Sequence, residues 1–428
     1  MDFSLTDDRR MLADTLARYL AEQYPIEHRN RVAHTAPYHD PAKWTDLAEL
    51  GVIGALVSEA RGGFGGTGFD IAVVFEALGR ALCLEPMLAA LLGLTALSHT
   101  DQDLEPIIAG ETRIALAAGE LDAPYSPQDI ETSATGARLT GRKSVVYGGG
   151  VADTLLIAAK HPGGIGLWHV AASDAQVTPF GMVDGGGAAE IFLDDTPGLP
   201  LLGDAVQALT HAETAGIVAL CAEAVGVMEV LKEQTLDYLK TRKQFGRAVG
   251  DFQVLQHRMV DLAIEIEQAR SITIQAADSL GTAHGPRHAS MAKNLIGRAG
   301  KLVAEEAIQL HGGIAMTWEY PVSHYAKRLT MIDHQLGDTD THLERVLAGC
   351  PVIQFRGSHP VRSPMSPGGW PGRHSKRRWP STLGRGPIRF RCNARPYVRA
   401  VCAPQTPQRC CACQPQSAFH RSRTLFHN

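Results

Sequence analysis

The chain has 428 residues, 44% of them hydrophobic, which is enough for two or three packed units with a buried core. Its formal net charge is −4, which argues against a polyanion such as nucleic acid as the partner of the whole chain. The composition therefore predicts a globular protein.

The charge is divided unevenly along the chain. Residues 350–428 carry thirteen Arg, one Lys and no Asp or Glu, a charge of +14 that leaves −18 on residues 1–349. The same segment holds six of the eight Cys and eleven of the twenty-four Pro, with little hydrophobic periodicity. We therefore expect this tail to form neither a helix bundle nor a sheet.

Three interpretations of the tail compete: a basic arm for nucleic acid, a Cys-based metal module, and an out-of-frame or otherwise non-native extension. A zinc site needs paired ligands at fixed spacing, and Cys410, Cys411 and Cys413 have no matching second pair. We favour a non-native or disordered tail and predict no metal site.

The sequence shows no features of export or of membrane insertion. Its first residues lead into an acidic amphipathic segment, and we find no run of about 18 apolar residues. Only Cys83 and Cys221 precede the tail, so disulfides have no evident role. We expect a cytoplasmic protein without a membrane span.

Residues 1–112 predict a helical N-terminal domain. Leu12, Leu16 and Leu20 lie at four-residue spacing, as on one face of an amphipathic helix. The glycine-rich run at 62–66 is typical of a loop, after which apolar residues resume the helical spacing.

Residues 113–204 predict a compact, antiparallel, barrel-like β domain. Short β-prone runs alternate there with clusters of Gly, Asp and Pro, and they lie at 113–116, 144–147, 154–158, 166–170 and 190–193.

Residues 205–349 predict a C-terminal four-helix bundle, because apolar residues such as Leu220, Met228 and Leu231 recur at helical spacing. The fold is therefore mostly α with a central β domain. This order excludes a Rossmann nucleotide site, which needs alternating strands and helices with G-x-G-x-x-G, and a P-loop is absent as well.

Two segments of the predicted bundle carry candidate functional residues. Residues 238–246 read YLKTRKQFG and end one helix at a glycine, which an ordinary helix hairpin with favourable C-terminal basic residues also explains. Residues 309–321 read QLHGGIAMTWEYP, and their paired glycines would let a phosphate approach the backbone, although an ordinary turn is the alternative.

Taken together, these segments resemble the R-x-x-F-G...Q and Q-x-x-G-G-x-G elements of the acyl-CoA dehydrogenase family, at the separation found there. The order of helices and strands resembles that family from residue 2 to residue 349, and the tail has no counterpart. Within the family, MDFSLTD at 1–7, LGRA at 78–81 and RLTMID at 328–333 resemble the small subunit of pimeloyl-CoA dehydrogenase.

The resemblance implies FAD as cofactor, bound across a subunit interface, and hence at least a dimer. Arg242 would reach the FAD pyrophosphate of a neighbouring subunit, since a planar guanidinium suits a phosphate. Residues 117–120 and 146–148 would hold the flavin ring, although the usual Thr-Glu-Pro and Trp-Ile-Thr are missing. The other residues implied in FAD binding are Phe245, Gln253, Gln309, Gly312 and Gly313.

Dehydrogenation in this family needs a carboxylate that takes the α-proton of the thioester while a hydride leaves for the flavin. The two family positions for that base read Leu336 and, in the helix leading to Arg242, about Gly216, and neither is acidic. Asp338 and Glu213 lie nearby and are the candidate bases. A helix N-cap for Asp338 and a solvated first-turn acid for Glu213 are the alternatives that we favour.

The resemblance therefore implies an FAD-dependent acyl-CoA dehydrogenase subunit acting on a medium-chain or dicarboxylyl thioester such as pimeloyl-CoA. It would assemble with a homologous large subunit or with itself, and it would pass electrons to an electron-transfer flavoprotein. The alternative is a flavin-binding partner without its own base. Nucleic-acid binding through the tail is a third hypothesis, which we disfavour.

Overall fold

The computed structural model describes residues 6–126 and 129–348, in which helices precede and follow one sheet. The predictions for the tail at 350–428 lie outside the described residues. Helix gives way to strand between residues 108 and 114, and strand gives way to helix between 202 and 206. These changes fall at the predicted domain limits of 112 and 204.

The N-terminal part is helical, as its apolar spacing predicts. Leu16 and Leu20 are buried in the first helix, and Thr67 and Asp70 form a capping box that fixes the start of the fourth. The helices are α1 Asp7–Gln23, α2 Ile26–Val32, α3 Pro41–Glu49, α4 Gly68–Ala81, α5 Met87–Leu97 and α6 Glu105–Ile108.

The central sheet has eight strands in the order β6-β7-β3-β2-β4-β5-β8, with β1 beside β4. Most pairs are antiparallel, but β4 runs parallel to both β1 and β2, so the sheet is mixed rather than wholly antiparallel. The chain between β1 and β4 is long enough for the crossover that a parallel pair requires. The strands are β1 Ile114–Ala117, β2 Ser133–Thr135, β3 Arg138–Tyr147, β4 Thr154–His161, β5 Gly164–Ala171, β6 Gln176–Gly181, β7 Gly187–Pro197 and β8 Leu199–Leu202.

The C-terminal part is a bundle around one long central helix. A two-stranded hairpin, with positive φ at Phe245 (54°) and Gly246 (79°), replaces the simple helix-to-helix connection that we predicted. Its two-residue turn has the backbone that tight hairpins need. The elements are α7 Val206–Thr241, β9 Lys243–Gln244, β10 Arg247–Ala248, α8 Gln253–Asp278, α9 Gly285–His311, α10 Pro321–His334 and α11 Thr339–Ala348.

Helix α7 corrects the expectation that no long apolar run exists. An 18-residue window of this helix has a mean hydropathy of 1.8, which by composition is enough for a membrane span. Because 94% of that window is buried inside the structure, its apolar surface is already covered by protein. Helices α4, α5, α8, α9 and α10 pack around it, so the window forms the core of the bundle.

Candidate active site

A cavity of about 340 Å³ lies where α5, the sheet, α7 and the segment after α10 meet. Apolar side chains from all four elements form most of its wall, and they include Leu92, Leu116, Val146, Leu209, Met331 and Leu336. An enclosed apolar space with few polar groups is typical of a small-molecule site.

Two residues with unusual backbone conformations face this cavity, one from the sheet and one from the bundle. Val145 has φ 52° and lies at an irregularity in the pairing of β3 with β7, between Lys143 and Val146. Leu336 has φ 56° in the segment between α10 and α11. Positive φ is rare for bulky or β-branched residues, and such strain concentrates at functional sites. Neither conformation was predicted from the sequence.

Glu213 lines the cavity from the second turn of α7. Arg345 of α11 donates to its carboxylate at 2.9 Å and also to the carbonyl of Tyr125 at 2.8 Å. Burial raises the pKa of Glu213, and Arg345 acts against that rise. A half-buried carboxylate with a raised pKa in an apolar cavity is typical of a general base.

Asp338 lies just before α11 and caps that helix. Its carboxylate accepts from the backbone N–H of Thr341 at 2.8 Å and from the Thr341 hydroxyl at 2.6 Å. These bonds lower the pKa of Asp338 although burial opposes the charge. Asp338 is not among the residues that line the cavity, so its position matches the N-cap alternative.

The two family positions for the base lie against each other. A Cβ added at Gly216 would be 2.6 Å from Leu336 Cδ1 and 2.7 Å from Leu92 Cδ2. Side chains at positions 216 and 336 would therefore occupy the same space, which the side chains of Leu336 and Leu92 already fill. A carboxylate at 216 would require these side chains to move.

A buried lysine and a buried histidine hold the segment that carries Leu336 on the side away from the cavity. Lys293 of α9 donates to the carbonyls of Asp333 at 2.9 Å and Gly337 at 2.5 Å, and His342 Nε2 donates to the carbonyl of Leu336 at 2.9 Å. Burial lowers the pKa of Lys293 to about 8 and that of His342 to about 4. Sequence reasoning missed both residues, because a lone Lys or His on a helix carries no such signal.

A second buried pair fixes the opposite wall, at residues 117–120. Glu120 accepts from the Glu131 N–H at 2.6 Å, from Lys143 at 2.7 Å and from the Thr132 hydroxyl at 2.6 Å. Although burial opposes the charge, these bonds lower the pKa of Glu120 to about 2. Burial in turn lowers the pKa of Lys143 to about 8. Glu120 is therefore a structural carboxylate whose acceptor positions are occupied.

The strand end that follows Lys143 reaches across to the bundle. Tyr147 lines the cavity together with Leu336. Burial raises the pKa of Tyr147, and the nearby backbone of Leu336 acts against that rise. The sheet wall and the segment after α10 therefore meet at Tyr147. The predicted flavin-ring segments 117–120 and 146–148 both contribute to this cavity.

The predicted pyrophosphate residues lie together at the far end of the bundle. The rings of Tyr238 and His311 are 4.6 Å apart, which joins the last turns of α7 and α9. The N–H of Arg242 donates to the carbonyl of Tyr238 at 2.8 Å, and Gly312 directly follows His311. The two segments that carry the family resemblance therefore share one surface.

That surface is exposed and open. Gly312 has φ 71°, and a Cβ added at Gly312 or Gly313 would meet no atom of the described residues, adjacent residues apart, within 4 Å. Phe245, at the tip of the hairpin, is 91% exposed, and its ring lies 6.3 Å from that of Phe252. Exposed glycines and an exposed phenylalanine leave room for a ligand or a second chain. The other two predicted residues, Gln253 and Gln309, are exposed as well.

A charged cluster beside the cavity was not predicted from sequence. Arg328 of α10 donates to both carboxylate oxygens of Glu223 at 2.5 and 2.6 Å, to Asp184 at 2.7 Å and to the amide oxygen of Gln335 at 3.0 Å. Despite burial, the two carboxylates raise the pKa of Arg328. The cluster connects α7, α10 and the turn between β6 and β7. No group of three His, Cys, Asp or Glu suited to a metal occurs in the part of the chain that the structure describes.

Comparisons with known proteins agree with this arrangement. Residues 6–99 match the family model described as Acyl-CoA dehydrogenase, N-terminal domain, and residues 214–350 match Acyl-CoA dehydrogenase, C-terminal domain. The chain belongs to the acyl-CoA dehydrogenase family.

The matches to individual relatives cover most of this chain and most of each relative. Acyl-CoA dehydrogenase IpdE2 of Mycobacterium tuberculosis is 33% identical over 324 residues, which are 75% of this chain and 91% of the relative. The solved Tcur3481-Tcur3483 steroid ACAD variant is 27% identical, with a TM-score of 0.74 over 80% of this chain and 97% of its own. The ChsE4-ChsE5 complex from Mycobacterium tuberculosis is 25% identical, with a TM-score of 0.75 over 82% and 100%.

These comparisons confirm the predicted fold and family. Members of the family are flavoproteins that use FAD and oxidoreductases that act on CH–CH donors, so the predicted cofactor and class of enzyme are confirmed at that level. A medium-chain or pimeloyl substrate, the individual site residues and the partner subunit stay predictions.

Proposed function

We propose that the chain is a subunit of an FAD-dependent acyl-CoA dehydrogenase and that Glu213 is its base. The observation that carries this proposal is the position of Glu213 in an apolar cavity between the strained residues Val145 and Leu336. Among the described residues that line the cavity, Glu120 is the only other acid, and its acceptor positions are occupied.

We base the diphosphate site on two observations: Arg242 and Gly312 follow helices whose last turns are joined by the Tyr238–His311 ring contact, and the glycines leave the backbone open. Arg242, Phe245, Gln253, Gln309, Gly312 and Gly313 would hold the pyrophosphate and adenosine part of FAD. Residues 117–120 and 146–148 would hold the flavin ring at the cavity. When bound, the flavin supplies the acceptor for the β-hydrogen, which leaves the substrate with its electron pair.

The chain's own side chains would prepare the thioester for that transfer. The apolar walls exclude water, so the Glu213 carboxylate is poorly solvated and binds the α-proton more strongly than an exposed carboxylate. Arg345 holds that carboxylate in place at 2.9 Å. Loss of the α-proton to Glu213 and of the β-hydrogen leaves a double bond between the two carbons.

The acyl group would be of medium length, including dicarboxylyl chains such as pimeloyl. The apolar walls of the 340 Å³ cavity support an aliphatic substrate. Because one solved relative is described as a steroid enzyme, steroid-derived thioesters belong in the same assay.

The functional unit would contain a second homologous chain. The residues proposed to hold the pyrophosphate and adenosine are exposed on this chain and lie at the opposite end of the bundle from the cavity. ChsE4-ChsE5 is a complex of two different chains, which supports a large partner subunit over a homo-oligomer. Electrons would then pass to an electron-transfer flavoprotein.

A second candidate function is a flavin-binding partner without its own base. The observation that favours it is the contact between positions 216 and 336, where the family's two base positions are occupied by glycine and leucine. In that case Glu213 and Arg345 are a structural ion pair, and the base belongs to the partner subunit.

One experiment separates the two candidates. The chain is purified alone and with a homologous large subunit, and bleaching of the flavin absorbance by acyl-CoA is followed for each chain and for the mixture. If Glu213 is the base, Glu213→Gln in this chain abolishes bleaching of the flavin that this chain serves in the FAD-loaded assembly, while Asp338→Asn preserves it. Bleaching that requires the large subunit and survives Glu213→Gln would establish the second candidate instead.

A further inference from the structure

A smaller cavity of about 70 Å³ adjoins the reaction cavity and is called the distal cavity below. Tyr147 and Gln335 line both spaces, so these two side chains stand at the boundary between the cavities. The walls of the two differ in chemistry. The distal cavity is lined by several polar and charged residues, namely Arg29, Cys83, Glu85, Asp184 and Arg328.

Arg29 is the unusual member of this lining. Its side chain is 1% exposed, and its two terminal nitrogens donate to the carbonyl of Asp184, to Asn30 Oδ1 at 3.2 Å and to His324 Nδ1 at 3.1 Å. Its Nε has no hydrogen-bond partner among the described residues. None of the ion pairs in the described part of the chain includes Arg29, so its guanidinium is buried without a paired carboxylate.

The neighbouring charges do not supply that missing partner. Asp184, the carboxylate that acts on Arg29, is engaged by Arg328, which also pairs with Glu223. Glu85 accepts from the Tyr24 hydroxyl at 2.9 Å and from the Asp40 N–H at 3.2 Å, and burial raises its pKa. A buried donor without an acceptor is costly, so an acceptor brought by a ligand would be favoured there.

We propose that the distal cavity binds the far end of the acyl chain and that Arg29 selects chains ending in an oxygen acceptor, either a ketone or a carboxylate. This inference rests on the proposed function, because it names the substrate class of the same site. A guanidinium donates hydrogen bonds and cannot accept them. A terminal methyl group would therefore leave its free N–H without an acceptor, and a terminal hydroxyl could bind it only through the hydroxyl oxygen.

The size of the distal cavity agrees with this ligand. Its volume is about 70 Å³, against about 340 Å³ for the reaction cavity. The smaller space therefore suits the polar end group rather than the bulk of the acyl chain. The aliphatic part of the substrate would remain in the apolar reaction cavity.

The test compares three seven-carbon ligands on the FAD-loaded protein, in the assembly in which it purifies. They are CoA thioethers whose sulfur carries a heptyl chain, a heptyl chain with a ketone at carbon 6, or heptanoic acid attached through carbon 7. In all three ligands a CH₂ group replaces the thioester carbonyl. Because these ligands cannot be oxidised as thioesters, calorimetry reports affinity alone. We expect at least one polar ligand to bind about tenfold more tightly than the heptyl ligand, as for a hydrogen bond to a charged group.

Variants of Arg29 assign that preference to the guanidinium. Arg29→Leu should reduce the ratio of polar to heptyl affinity to about one, as expected for loss of one charged hydrogen bond. Arg29→Gln keeps an amide donor and should retain part of the preference if Arg29→Leu fails to fold. Met182→Leu, in the same lining, is the matched control and should keep the full ratio.

The outcomes distinguish this inference from the proposed function. Equal affinities of all three ligands in the unchanged protein, or an unchanged ratio in Arg29→Gln and Arg29→Leu, would overturn the role of Arg29. A clear preference together with no flavin reduction by the corresponding thioesters would instead contradict Glu213 as base. Tighter binding of the carboxylate indicates a dicarboxylyl substrate, and tighter binding of the ketone indicates an oxo-acyl substrate.

Discussion

The two ends of α7 differ in how much of a binding site this chain supplies. At the N-terminal end, Glu213 faces an enclosed cavity whose walls are tied together by buried ion pairs and hydrogen bonds. At the C-terminal end, Arg242 and Gly312 lie on an exposed surface that nothing in the described chain covers. We therefore propose that the chain forms the walls of its reaction cavity from its own residues, whereas the surface at the other end of α7 is completed by another chain.

The cavity end can be tested first, because the largest effect is expected there. If Glu213 is the base, Glu213→Gln should slow flavin reduction by about 10²–10⁴-fold, since the amide cannot take a proton. FAD content should stay the same because Glu213 lies outside the dinucleotide surface. Stopped-flow absorbance measures the rate, and the exposed Glu305→Gln is the control. A rate within threefold of the unchanged chain would place the base elsewhere.

At the opposite end, Arg242→Met should weaken FAD binding without unfolding the chain. A charge-assisted hydrogen bond contributes about 1.5–3 kcal/mol, so the dissociation constant should rise by about 10- to 100-fold. Flavin fluorescence during dilution measures it, with the neighbouring Lys243→Met as control. Equal retention of FAD by Arg242→Met and Lys243→Met would show that Arg242 does not bind the dinucleotide.

The rigidity of the cavity wall depends on Lys293. Lys293→Met would leave the carbonyls of Asp333 and Gly337 without their donor, which should lower the free energy of unfolding by about 1–3 kcal/mol. Urea denaturation measures this loss. If the wall is held as described, KM for the acyl-CoA should rise as well, whereas a purely global effect would leave KM unchanged.

The smallest effect concerns the pH dependence of Glu213. Burial raises its pKa, and a base acts only when ionised, so the rate should fall as the pH drops through a value above that of an ordinary Glu. Arg345 lowers that pKa, so Arg345→Met should move the acid side of the pH–rate profile to higher pH. A profile that does not move would mean that Glu213 is not the titrating group.

The sequence predicted the fold well because the governing signals are local. The spacing of Leu12, Leu16 and Leu20 predicted α1, and the β-prone runs between 113 and 193 marked five of the strands. Strands β2, β6 and β8 were missed, because they are short, or interrupted by Pro, and owe their conformation to neighbours in the sheet.

The site was predicted less completely than the fold. The spacing of the two motifs predicted a shared site for Arg242 and Gly312, and both residues follow helices whose last turns touch. The strained backbone at Val145, the anchoring by Lys293 and the unpaired Arg29 depend on contacts between residues far apart in sequence. No pattern in one sequence reports such contacts.

The length of α7 has a consequence for how an assembly would be built. Glu213 and Arg242 are 29 positions apart on a helix that rises 1.5 Å per residue, so roughly 43 Å separate them. An extended dinucleotide is much shorter than that. If Arg242 holds a pyrophosphate as proposed, that dinucleotide must belong to the cavity of a different chain. In a pair of subunits, each chain would then supply its Arg242 to the site of the other. Two variants inactive alone, one altered at Glu213 and one at Arg242, should then restore one working site when mixed.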